Sequence, residues 1–150
     1  HDSDWFQLVK RSLAELEVEN CKLVLIPPEP TDKLHHSPDD PESYRSRGEP
    51  FDAYSFCRYV KLIDSFPDQH FDLVAVDGRA RPSCVAHARR KVKPGGYLML
   101  DNSDRPHYQK ARSLMSNWQM HEFYGPGPYN VYFWGATIWK KVNTPTKVGM

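Results

Sequence analysis

The sequence predicts an α/β fold built on an open sheet, and three observations carry that expectation. Helical and strand-like hydrophobic spacings alternate along the chain. Two short apolar runs, 71–76 and 97–100, each end in an acid, Asp77 and Asp101. Proline and glycine fall mostly between the periodic segments, as at Pro67 and at Pro94-Gly95-Gly96, and punctuate them. The order helix, strand, loop and helix, strand, helix, strand, helix, strand, strand points to a mostly parallel sheet with helices on both faces and a terminal strand pair.

The elements follow in chain order. Residues 3–17 place Trp5, Leu8, Val9, Leu13 and Leu16 on one helical face, with Ser3 as a cap and Asp4 in the first turn. Residues 21–26 form an apolar run without alternation, which suits a strand covered on both faces, and Pro27-Pro28 stops it. Residues 27–50 hold six prolines among polar and charged residues, and read as a long loop insertion. Residues 51–66 regain helical spacing through Phe56, Tyr59, Val60 and Ile63 until Pro67 ends it. A buried strand follows to Asp77-Gly78, then a helix over 82–91 with Pro82 in its first turn. Lys93-Pro94-Gly95-Gly96 reads as a tight turn into the strand that ends at Asp101-Asn102. Residues 106–117 are a further helical stretch, and 118–142 an aromatic strand pair interrupted by Gly125-Pro126-Gly127-Pro128.

Composition narrows the function. The chain has 150 residues, 39% hydrophobic and 13% aromatic, enough to bury the core of one domain or part of one. A net charge of +1 argues against a general nucleic-acid partner. No apolar run approaches the about 20 residues that cross a bilayer, so no membrane partner is expected. Three cysteines without C-x-x-C spacing imply neither a disulfide framework nor a zinc knuckle, and a reducing, cytoplasmic setting is the expectation. The abrupt opening, His1-Asp2-Ser3-Asp4-Trp5, reads like the interior of a domain. The oligomeric state is left open.

Open α/β sheets bind ligands outside the carboxyl ends of their strands. Asp77, Asp101 and Asn102 stand at those ends, and two carboxylates with an amide oxygen suit a hard cation such as Mg²⁺. Such an ion would hold a substrate oxygen and favour its deprotonated form. The same residue types also suit turns and caps, and the residues alone leave both readings open.

The stretches FDLVAVDGR (71–79) and VKPGGYLMLDN (92–102) resemble the fourth and fifth strands of class I S-adenosylmethionine-dependent methyltransferases. The tail FYGPGPYNVYFWGATIWKK is similar to the terminal antiparallel pair of that fold, and HDSDWF to the end of its second strand. The resemblance covers nearly the whole chain except 27–50. It implies that 1–150 is the C-terminal part of one Rossmann-like methyltransferase domain, with the glycine-rich cofactor loop upstream. It implies S-adenosylmethionine as cofactor, with His1 and Asp2 nearest its ribose, and methyl transfer to an oxygen of a small-molecule acceptor such as a sugar or phenol.

Asp77, Asp101 and Asn102 then resemble the metal triad of catechol O-methyltransferase and its relatives, which implies Mg²⁺ assistance and a catalytic position for Asp77. Those relatives carry a lysine base three positions after the first acid, where this sequence has Ala80. His107 and Asp104 are the candidate bases in its place. Arg79, Tyr44, Arg45 and Arg47 are the candidate substrate residues, the loop members suited to an anionic or sugar-like substrate. The basic cluster of Arg79, Arg81, Arg89, Arg90, Lys91 and Lys93 reads as a solvated helix face, with an anionic substrate or partner as the alternative. Two rivals share these residues: a nucleotide-sugar-dependent transferase, whose strand-end acids would hold a diphosphate-bound metal, and a non-catalytic methyltransferase-like module.

Overall fold

A parallel strand pair with one helix between its members forms the centre of the molecule. In the computed structural model, which describes residues 1–32, 36–127 and 131–142, β3 (Phe71–Val76) runs into α3 (Arg81–Lys91), which returns to β4 (Val92–Asp101). Before this unit come α1 (Ser3–Glu15), a two-residue pairing of β1 (Glu29–Pro30) with β2 (Tyr54–Ser55), α2 (Cys57–Lys61) and a 3₁₀ turn over Leu62–Ser65. After it come a 3₁₀ turn over Pro106–Tyr108, α4 (Gln109–Ser113), β5 (Gln119–Pro126) and β6 (Phe133–Lys140). The sheet order is β3-β4-β6-β5, with β6 antiparallel to both of its neighbours.

The α/β expectation holds, and the sheet over the described residues is mixed rather than mostly parallel, with one parallel pair and two antiparallel ones. The terminal hairpin contributes both antiparallel pairings. The run 21–26 joins no strand: Val24 is exposed and the segment has no ladder partner, so its apolar side chains lack the covered position a parallel strand requires. Lys93-Pro94-Gly95-Gly96 is not a separate turn but the irregular start of β4, where the register with β3 shifts between Phe71 and Leu73. The helix expected over 51–66 is shorter, α2 continuing into the 3₁₀ turn, and that over 106–117 is likewise split between a 3₁₀ turn and α4.

Alternation along the strands sorts the sheet into two faces. One face carries Val76, Leu98, Leu100 and Trp139 under Val85, Ala88, Ala111 and Met115 of the α3–α4 layer, and this is the main core. Burying Trp139 there, 1% exposed, anchors β6 to the helices. The other face carries Leu73, Tyr97 and Phe123, which are 56%, 40% and 57% exposed. Helices therefore cover one face among the described residues, where the sequence suggested both. The helix α1 forms as expected but is capped by Asp2 rather than Ser3: the Asp2 carboxylate accepts from the Trp5 amide at 2.9 Å. It buries none of its residues, and Trp5, Leu8 and Leu16 face water. No helix among the described residues is long and apolar enough to cross a membrane.

Candidate functional site

The carboxyl ends of β3 and β4 lie side by side because the two strands are parallel neighbours with Val76 opposite Leu100. Past β3 the chain turns through Asp77-Gly78-Arg79-Ala80 into α3. A side chain at Gly78 is excluded by the Tyr59 hydroxyl, 2.3 Å from where its Cβ would stand. Ala80 takes the left-handed conformation, φ 46°, which swings Arg81 back toward the strand end. Past β4 the turn is clamped to β6. The Ser103 amide donates to the Gly135 carbonyl at 2.8 Å, the Gly135 amide donates to Asp104 Oδ1 at 2.8 Å, and the Thr137 hydroxyl meets that of Ser103 at 2.7 Å. That clamp holds Asn102, at φ 50°, beside Asp101.

The expected trio, Asp77, Asp101 and Asn102, is brought together, and Arg81 stands at its centre. Arg81 Nε donates to the Gly78 carbonyl at 2.9 Å, and Nη1 donates to the Asp101 carbonyl. Nη1 also donates to Asn102 Oδ1 at 3.0 Å, and Nη2 donates to Asp77 Oδ1 at 2.9 Å. Asp101 Oδ2 lies 3.5 Å from Nη1. Arg81 is a buried guanidinium with its fork engaged by backbone and carboxylate oxygens, the geometry that suits arginine and not lysine. Partial desolvation and the charge of Asp101 push the Asp77 carboxyl above its ordinary value, and Arg81 pulls it back down.

The oxygens at this rim are of the type a Mg²⁺ ion takes, but an octahedral ion needs them at roughly 2.0–2.1 Å from its own centre. Here they face a resident cation, Arg81, which would have to withdraw before a metal ion could share them.

A cleft of about 390 Å³ opens beside the trio, within the size range of single small-ligand sites. The proline-rich loop forms one wall with Arg45 and Arg47, the turn after β3 a second with Asp77, Arg79 and Arg81, and the turn after β4 a third with Arg105 and His107. The long loop thus meets the strand ends. Arg45 is buried and donates to the carbonyls of His36 and Asp52, which ties the loop to itself. Arg47 is paired with Asp39.

The other expected residues separate. Arg79 lines the cleft, its guanidinium 4.3 Å from the centroid of the Phe51 ring. His107 lines it too. Burial, together with the positive charges of Arg47, Arg105 and Arg81, holds its imidazole below the ordinary value, against a smaller pull from Asp39. Asp104 is engaged by the Gly135 amide and is not among the cleft residues. Tyr44 turns away as well: its hydroxyl meets His87 Nε2 at 3.2 Å, and His87 Nδ1 meets Asp64 at 2.8 Å. His1 reaches the cleft with its ring packed edge-on against Phe51 and Phe56, whereas Asp2 is engaged in capping α1.

Sequence reasoning missed Arg105, and it assigned Arg81 to a solvated face. The i,i+4 spacing of Asp77 and Arg81 across a strand-to-helix turn was the available signal for Arg81. In the same run Lys91 is also buried, donating to Asp68 and to the Phe66 carbonyl at 2.8 Å. Cys84 is a core thiol, pushed up to about 12 by burial and so unreactive at neutral pH. A second, apolar trough of about 320 Å³ runs along the unpaired edge of β3 and is lined by Leu62, Phe66, Val74 and Ala75.

Compared with known proteins, the chain matches no family model and no curated sequence.

Proposed function

We propose that this chain supplies the acceptor-binding half of an S-adenosylmethionine-dependent O-methyltransferase acting on a small molecule. The observation that carries the reading is the parallel β3–β4 pair, which delivers Asp77, Asp101 and Asn102 to one rim beside a ligand-sized cleft. The open edge of β3 and its apolar trough support it further, as a place for a cofactor-binding half of the sheet to pack. The terminal β5–β6 hairpin, antiparallel as the resemblance implies, supports it too.

S-adenosylmethionine would supply the methyl group, which leaves sulfur for the acceptor oxygen as that oxygen gives up its proton. The residues of this chain do the rest. The arginine-lined walls hold the acceptor, and positioning of its oxygen provides much of the rate. His107, kept neutral by burial and by neighbouring guanidiniums, accepts the hydroxyl proton at its imidazole nitrogen. Arg81 fixes the two carboxylates at the strand ends.

The density of arginine favours one other reading, a nucleotide-sugar-dependent transferase whose diphosphate sits in the same cleft. Calorimetry of the protein together with the cofactor-binding half that this reading requires, with S-adenosylhomocysteine and with a nucleoside diphosphate, separates the two. The methyltransferase reading expects binding of the first; binding of the diphosphate alone rejects it.

A further inference from the structure

We infer that the cleft selects an acceptor carrying an anionic group, a carboxylate or a phosphate, and that Arg79 and Arg105 hold that group. The inference rests on the acceptor-site reading above and adds the class of acceptor.

The argument is one of charge accounting around a single cavity. Five guanidiniums line it, Arg45, Arg47, Arg79, Arg81 and Arg105, against one carboxylate, Asp77. Asp77 and Asp101 both face Arg81, so the strand-end group carries one negative charge beyond what Arg81 cancels. Arg47 is cancelled by Asp39. Arg79 rests on the ring of Phe51, and Arg105 donates to the neutral amide oxygen of Asn102 at 3.1 Å. Neither is paired with a carboxylate among the described residues. Counted together, the five guanidiniums and the carboxylates of Asp39, Asp77 and Asp101 leave the cleft region a surplus of two positive charges, and Arg79 and Arg105 each present a planar fork suited to bidentate capture of a carboxylate or phosphate.

The cleft's volume, about 390 Å³, suits one small anion-bearing molecule rather than a polymer lying across the surface. An anion arriving there also brings its neutral hydroxyl toward His107 on the adjoining wall.

Titration of the full chain with inorganic phosphate, glucuronate and glucose tests this, and needs no cofactor. The expected result is that glucuronate or phosphate binds and glucose does not. Arg79→Gln and Arg105→Gln should each weaken that binding about tenfold, with unchanged circular dichroism. Stronger binding of glucuronate than of phosphate assigns a carboxylate acceptor, and the reverse a phosphorylated one. Equal binding of glucose and glucuronate, no binding of either anion, or anion affinity untouched by both substitutions overturns the inference. Failure of S-adenosylhomocysteine to bind the protein with its cofactor-binding half present, while these results hold, sinks the methyl-transfer reading and leaves the anion site standing.

Discussion

Arg81 sets the character of the strand ends, and its removal is the most informative single change. Arg81→Ala leaves Asp77 and Asp101 facing each other without their cation and strands the buried carbonyl of Asp101. We expect a loss of about 2 kcal/mol in urea unfolding, below the range for fully buried pairs because Asp77 is exposed. The same variant opens a position among three oxygen donors, so it should gain a Mn²⁺ site visible by electron paramagnetic resonance. A metal signal in the unmodified protein that Asp101→Ala abolishes would contradict the account of the rim. His107 carries a second expectation. Its conjugate acid is held below the ordinary 6.5, so the neutral base persists as pH falls to that value and is lost only below it. The acid limb of kcat/KM should lie under pH 6.5, and His107→Gln should remove it and lower kcat by about 10²-fold.

Among the elements, the start of β4 leaves no room beside the backbone for a side chain at Gly96. A Cβ at Gly96 would stand 2.8 Å from the Asp72 carbonyl and 2.9 Å from Val92 Cγ1. Gly96→Ala should therefore cost about 2 kcal/mol by thermal unfolding, since the backbone of β3 must shift to admit it. The sequence exposed this unit well, because β3, α3 and β4 each take their form from local spacing and their order from chain continuity. Asp77, Asp101 and Asn102 were legible for the same reason: a residue just past a parallel strand has one place to go. What it did not expose depends on partners distant in the chain. The run 21–26 has the composition of a strand but no neighbour to complete it, and Lys93 to Gly96 extend a ladder only because β6 reaches back far enough, through Lys141, to pair there. Arg81 read as one charge among many in a basic run, because the carbonyls and carboxylates that bury it lie on two separate turns. Asp104, chosen for its nearness to the strand end, and Tyr44, chosen as a polar residue of the proline-rich loop, were drawn off by Gly135 and His87.

At the scale of the whole molecule, one layer of helices covers one face of the sheet and leaves the other wet. The bare sheet face, with Leu73, Tyr97 and Phe123, and the unpacked α1, with Trp5 and Leu8, leave large apolar side chains in water. Leu73 sits on both liabilities, pointing from the bare face of a strand whose outer edge is unpaired. Leu73→Lys should change folding free energy by less than about 0.5 kcal/mol yet reduce self-association in analytical ultracentrifugation. Unchanged association would place the sticky surface elsewhere, on the exposed aromatics of the β5–β6 hairpin. Half-covered sheets also have a calorimetric signature. Side chains already hydrated in the native state add nothing to the heat capacity released on melting, so the stability curve of this chain is flatter in temperature, and its denaturant slope shallower, than its length would suggest.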